Sequence, residues 1–113
     1  IKIDNRLSER TLSSISLDDW MDKLHETYND LDLKFEGGES SREAMLRIVS
    51  VIEDIVARAS TNTIIVTHGN IMSLLFNYYD ENFGFAEWKK LSNPDIYLLK
   101  ISERQTEYER VWG

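Results

Sequence analysis

The stretch that decides the fold is Thr63-Ile64-Ile65-Val66-Thr67-His68-Gly69-Asn70-Ile71-Met72-Ser73-Leu74-Leu75-Phe76. Its first four residues are β-branched, which predicts a short, buried strand. An apolar, helix-like run follows the polar turn at residues 67–70. The turn therefore places His68 at a helix N-terminus, where free backbone N–H groups and the helix dipole favour an anion. Gly69 has no side chain, so it leaves room for an anion to approach the backbone closely. From this stretch alone, a purely structural, hydrogen-bonded His68 remains an open alternative.

Periodicity and turn residues on both sides of this stretch predict the other elements. Helical spacing of apolar residues predicts helices that begin near Ser16 and Ser40, each with a capping-box pattern, and a third that runs from about Asn70 to Tyr79. A short helix is expected at residues 84–90. Strands are expected at residues 1–4, 95–101 and 106–111. This order predicts an α/β fold with a layered sheet and helices on both faces, in a single domain at residues 1–113.

Composition excludes several classes of function. The chain has 113 residues and a net charge of −7, which argues against nucleic acid and against anionic membrane surfaces as partners. It has no cysteine, so disulfides, thiolate nucleophiles and zinc–cysteine sites are excluded, in keeping with a cytoplasmic protein. No apolar run approaches the roughly 20 residues of a membrane-spanning helix. Its two histidines, His25 and His68, belong to different elements with no cluster of carboxylates beside them, so no metal site is expected.

Two more motifs precede the central stretch, and together the three resemble a known family. They are Leu7-Ser8-Glu9-Arg10 and Gly37-Gly38-Glu39-Ser40, the latter followed by Arg47. With Val66-Thr67-His68-Gly69, they occur in the order found in the histidine phosphatase superfamily, the phosphoglycerate mutase-like proteins. The resemblance covers roughly residues 1–101. It implies a parent enzyme, a phosphomonoesterase or phosphomutase, that transfers or hydrolyses a phosphoryl group on a small phosphorylated metabolite without metal or cofactor.

The same resemblance assigns roles to four residues. Glu9 would be the general acid that protonates the leaving alcohol, and His68 the second, phosphate-stabilising histidine. Arg10 and Gly69 would contact the substrate. Without the resemblance, Glu9 is more simply a solvated surface glutamate paired with Arg10. The family often continues after this segment with a glycine and Trp-Glu-Gly, whereas this chain has Thr11-Leu12-Ser13-Ser14-Ile15.

The family's Arg-His-Gly segment, whose histidine takes the phosphoryl group, has no counterpart in these residues. His25 lies in a helical pattern and is expected at the surface. The resemblance therefore covers the C-terminal portion of such a protein, and the first residue, Ile1, agrees with a trimmed chain. We expect this portion to be inactive alone. A central strand without its neighbour should also promote self-association or pairing with a supplied N-terminal segment.

Two alternatives remain open at this stage. The first alternative to an enzyme portion is a non-catalytic module of the same fold that binds phosphate or another protein. The second alternative is a small structural α/β domain whose motifs match by chance. The first predicts anion binding without turnover. The second predicts that Glu9 and His68 affect only stability.

Overall fold

The computed structural model describes residues 3–58, 63–92, 95–102 and 105–112. These residues contain both helices and strands, which confirms the predicted α/β class. The elements are a 3-10 helix Asn5–Leu7, α1 Trp20–Asn29, α2 Ser41–Arg58, α3 Gly69–Tyr79, α4 Phe85–Lys89, β1 Ile96–Ile101 and β2 Thr106–Trp112. None of the helices in these ranges has the length and apolar character that crossing a bilayer requires.

Helices α2 and α3 form the core. The predicted capping box at the start of α2 is confirmed, because the Ser40 N–H donates to Glu43 Oε1 at 2.9 Å and the Glu43 N–H donates to Ser40 Oγ at 3.1 Å. Burial of the facing apolar stripes is the main force that holds the two helices together. The buried cluster consists of Ala44, Met45, Ile48, Val49 and Ile52 from α2 with Ile71, Leu74 and Leu75 from α3.

Helix α1 begins later than the sequence pattern predicted. It starts at Trp20, and Asp19 at its N-cap position makes no side-chain capping bond. Leu24 in the middle of α1 is buried, but Trp20 at its start remains 50% exposed. His25 is exposed, as predicted, and its ring stacks on Phe85 with centroids 4.2 Å apart.

The prediction of a buried strand at residues 63–66 is wrong. These residues have no regular secondary structure, and Ile64 and Val66 are 92% and 84% exposed. Only Ile65 packs against the core. A buried strand needs a hydrogen-bonded neighbour at its edges, and within the described ranges the two strands pair only with each other. The predicted strand at residues 1–4 lies partly outside the described residues, and Ile3 and Asp4 do not belong to a strand.

The two predicted C-terminal strands are confirmed as an antiparallel hairpin. Leu99 of β1 is opposite Tyr108 of β2. The hairpin packs on α3 through Phe76, whose ring centroid lies 4.7 Å from that of Tyr97 and 5.0 Å from that of Tyr108. Aromatic pairs at these distances contribute beyond their buried area, so this cluster fastens the hairpin to the helical core.

An ion pair joins the start of the hairpin to β2 and gives stability a testable dependence on pH. Arg110 Nε and Nη2 donate to the Asp95 carboxylate at distances of 2.5 to 3.1 Å. These hydrogen bonds lower the pKa of Asp95 to about 2. An unfolded aspartate has a pKa of about 4. The pair therefore stabilises the folded state above about pH 4 and loses this contribution as the pH falls towards about 2.

We expect Asp95→Asn to lower the free energy of unfolding near neutral pH, and the difference from the wild type to disappear at about pH 2. Urea unfolding followed by circular dichroism at both pH values measures this. Asp18→Asn is the matched control, because the exposed Asp18 carboxylate makes no hydrogen bond or ion pair with the described residues. A deficit in Asp95→Asn that is equal at both pH values would contradict the assignment.

Candidate functional site

Two glycines allow the loop that carries Glu9 to lie against the turn before α2. Gly37 has a φ of 70°, a conformation that L side chains rarely adopt. A Cβ added at Gly38 would lie 2.0 Å from the Leu12 carbonyl oxygen. The same two segments are joined by the Ser14 N–H, which donates to the Glu36 carbonyl at 2.8 Å. The Gly37-Gly38 pair is therefore required by this close backbone approach.

Glu39 and Arg47 fix the backbone on both sides of Glu9. Arg47 Nη1 donates to the carbonyl oxygens of Arg6 at 2.9 Å and Ser8 at 2.8 Å, and Arg47 Nη2 donates to Glu39 Oε1 at 2.5 Å. Glu39 Oε1 also accepts the Thr11 N–H at 3.0 Å. A charged fork with several acceptors is a strong and directional contact. The motif that contains Glu39 therefore positions the Glu9 loop.

The Glu9 carboxylate occupies the N-terminus of α3. Its Oε2 accepts the Asn70 N–H at 3.0 Å and its Oε1 accepts the Ile71 N–H at 2.8 Å. Oε1 also accepts the N–H of Arg10 at 2.9 Å. The first N–H groups of a helix have no partner within the helix, and the dipole favours negative charge there. The sequence predicts an anion at this N-terminus, and in the structure the Glu9 carboxylate is that anion.

His68 lies beside Glu9 at the N-cap position of α3. Its backbone is extended, with φ −114° and ψ 159°, and its carbonyl accepts the Met72 N–H at 3.0 Å. The imidazole is exposed, and no described residue hydrogen-bonds to it. Upstream, Thr67 Oγ1 donates to the Leu7 carbonyl at 2.6 Å, which ties this segment to the 3-10 helix. The described residues therefore do not support the alternative in which His68 is a purely structural, hydrogen-bonded histidine.

A cavity of about 510 Å³ contains Glu9, His68 and Gly69 in its wall. A Cβ added at Gly69 would lie 3.8 Å from Leu91, so the glycine leaves space without being sterically required. The cavity is also lined by residues that sequence reasoning did not assign to the site, because packing between distant elements brings them there. They are Met21, Trp88, Lys89, Leu91 and Ser92.

Arg10 does not line this cavity. It is buried, and Nη1 donates to Ser41 Oγ at 3.0 Å while Nη2 donates to the Glu39 carbonyl at 2.7 Å. Burial lowers the pKa of the guanidinium. These contacts join the Glu9 loop to the start of α2. The predicted contact of Arg10 with a substrate stays a prediction.

Asn70 is a second residue that the sequence did not single out. It is buried and lines the cavity, and its Oδ1 has no hydrogen-bond partner in the part of the chain that the structure describes. In the same described ranges, no group of three or more His, Cys, Asp or Glu side chains is placed to hold a metal ion.

The clamp formed by Arg47 can be tested with a conservative change. Lysine keeps the charge but cannot bond to two carbonyls and a carboxylate in the same planar geometry. We expect Arg47→Lys to lower the free energy of unfolding by about 1–3 kcal/mol and to shift the amide resonances of Asn70 and Ile71, because Glu9 is no longer fixed. Arg42→Lys, on the same helix, alters an exposed ion pair with Asp32 and should change stability by less than about 0.5 kcal/mol. Equal effects of the two substitutions would contradict the clamp.

Comparison with known proteins identifies the family. The model of the histidine phosphatase superfamily (branch 1) matches residues 1–112. No curated protein and no solved structure matches the chain at a significant level. The matched range includes all three motifs. The chain belongs to the histidine phosphatase superfamily.

Proposed function

We propose that this chain forms part of an enzyme that transfers or hydrolyses a phosphoryl group on a small phosphorylated metabolite, with Glu9 and His68 in the site. Membership of the superfamily implies phosphoryl transfer or hydrolysis in general. One observation supports the assignment to these residues. Glu9 and His68 come from distant parts of the chain and meet in the wall of one cavity at the N-terminus of α3.

The arrangement provides donors for a phosphoryl group. The Asn70 and Ile71 N–H groups bond to Glu9, whereas the Gly69 N–H has no acceptor among the described residues. This N–H and the unbonded His68 imidazole are available at the same helix end. Preorganised donors of this kind stabilise the charge that develops on the oxygens of a transferring phosphoryl group. Glu9 would give its proton to the leaving alkoxide oxygen, which departs as the alcohol.

The nucleophile is the group that these residues do not supply. The sequence has no Arg-His-Gly, and its other histidine, His25, stacks on Phe85 at the surface of α1. We propose that the attacking histidine and further cationic groups come from a segment outside these 113 residues. Loss of a single preorganised donor typically costs about 3 kcal/mol in the transition state. Because several such groups would be lost together, residues 1–113 alone should turn over near the background rate. A cytoplasmic location belongs to the proposal and rests on the cysteine-free sequence.

A non-catalytic phosphate-binding or protein-interaction module is the second candidate. The unbonded His68 ring and Gly69 N–H favour it, because they would bind an anion whether or not a nucleophile is present. The enzyme and the phosphate-binding form of the module both require phosphate at His68. They differ in turnover once a chain that contains the missing nucleophile is assayed.

Titration with inorganic phosphate tests the site, and the chain contains its own control. We expect the ring resonances of His68 to move saturably in an NMR spectrum, while those of His25 stay in place. Sodium chloride at matched ionic strength should move neither. His68→Asn should abolish the saturable change in the Gly69 amide. If the His68 ring does not respond, or if both rings respond equally, the phosphate site is refuted.

A further inference from the structure

The cavity that contains His68 is larger than a phosphoryl group requires. Its volume of about 510 Å³ lies within the roughly 300–1,000 Å³ that is typical of sites for whole small molecules. The donors at His68 and Gly69 would engage the phosphoryl group alone. The other lining residues are therefore available to the alcohol half of a phosphate ester.

Three of these other residues give the cavity an apolar wall. They are Met21 of α1, Trp88 of α4 and Leu91, which follows α4. The wall reaches the helix end, because a Cβ added at Gly69 would lie 3.8 Å from Leu91 Cδ1. An alcohol with many hydroxyl groups would leave some of them against these side chains without hydrogen-bond partners, which costs free energy. The wall therefore favours an apolar alcohol.

The ring of Trp88 is held in place by a row of stacked rings. Phe85 stacks on His25 with an interplanar angle of 8°, and its centroid lies 5.4 Å from that of Trp88. The Gly84 N–H donates to Glu87 Oε1 at 2.8 Å, which closes the first turn of α4. A ring that is already fixed loses little conformational entropy when a ligand packs against it. Trp88 is therefore a preorganised surface on which a flat ring can stack.

The charges of the lining residues do not favour a second anionic group on the ligand. Besides the His68 imidazole, the charged side chains among the described lining residues are Glu9 and Lys89, whose charges offset each other. Lys89 Nζ also lies over the Phe85 ring, 5.6 Å from its centroid. A carboxylate or a second phosphate on the ligand would add negative charge to a cavity with one ammonium group.

We infer that the cavity takes a phosphate monoester whose alcohol half is a flat, apolar ring, and that this ring packs against Trp88, Met21 and Leu91. The inference rests on the proposed function, since the phosphoryl group of the ester has to lie at His68 and Gly69. Trp88 is then a specificity-determining residue, because it contributes to the affinity for the ester through the ring and not through the phosphoryl group.

Phenyl phosphate tests this inference in the 113-residue chain. We expect it to bind about tenfold more tightly than inorganic phosphate, because the ring adds stacking and apolar burial. In an NMR titration it should move both the His68 ring resonances and the indole N–H resonance of Trp88, whereas inorganic phosphate should move His68 alone. The indole resonances of Trp20 and Trp112 are internal controls, because these residues do not line the cavity.

Two other esters separate the effects of shape and polarity. Cyclohexyl phosphate has a ring of similar size that is not flat, so we expect it to bind more weakly than phenyl phosphate. Glycerol 1-phosphate has hydroxyl groups in place of the ring, so it should bind no more tightly than inorganic phosphate.

Substitutions of two tryptophans locate the surface that the ring contacts. Trp88→Leu keeps an apolar side chain but removes the flat ring, so it should abolish the preference for phenyl phosphate over inorganic phosphate. Trp88→Phe should restore most of that preference. Trp20→Leu alters a ring that is 50% exposed and outside the cavity, and it should leave the preference intact.

Four outcomes overturn the inference. They are equal binding of phenyl phosphate and inorganic phosphate, equal binding of phenyl and cyclohexyl phosphate, equal effects of Trp88→Leu and Trp20→Leu, and a response of Trp88 to phenyl phosphate without one of His68. If His68 responds to inorganic phosphate but the preference for phenyl phosphate is absent, the inference fails and the proposed function stands. A His68 ring that responds to none of the four compounds refutes the proposed function and the inference with it.

Discussion

The structure depends on the contact between the Glu9 carboxylate and the first N–H groups of α3. A helix that begins at Gly69 leaves backbone donors without partners, and two of them donate to Glu9. This contact joins residues that are far apart in the chain and sets the distance between Glu9 and His68. The Glu39–Arg47 pair and the close approach at Gly38 hold the loop that delivers the carboxylate.

This use of the helix end has a chemical consequence for phosphate. A phosphate anion beside a charged Glu9 would be repelled unless one of the two carries a proton, and a protonated carboxyl is what a general acid requires. Glu9 accepts the Asn70 and Ile71 N–H groups, whereas the Gly69 N–H and the His68 ring have no hydrogen-bond partner among the residues that the structure describes. The donors that hold Glu9 are therefore different from those that the proposed site would offer to phosphate.

Local sequence was sufficient for elements whose stabilising contacts are local. The capping box of Ser40 and Glu43, the apolar faces of α2 and α3, and the C-terminal hairpin could be predicted because periodicity and capping act within a few residues. The strand predicted at residues 63–66 is absent from the structure, because β pairing depends on a distant partner and none is found among the described residues. For the same reason, the burial of Arg10 and the wall formed by Met21 and Trp88 depend on packing between elements and have no local signal.

The most direct measurement is a pH titration of the backbone amide resonances of Asn70 and Ile71. An amide that donates to a carboxylate changes its chemical shift when the carboxylate takes up a proton. We predict that both amides follow a single carboxylate titration that Glu9→Gln removes and that Glu53→Gln, an exposed change on α2, leaves intact. If the two amides titrate unchanged in Glu9→Gln, or do not titrate in the wild type, Glu9 does not occupy the N-terminus of α3.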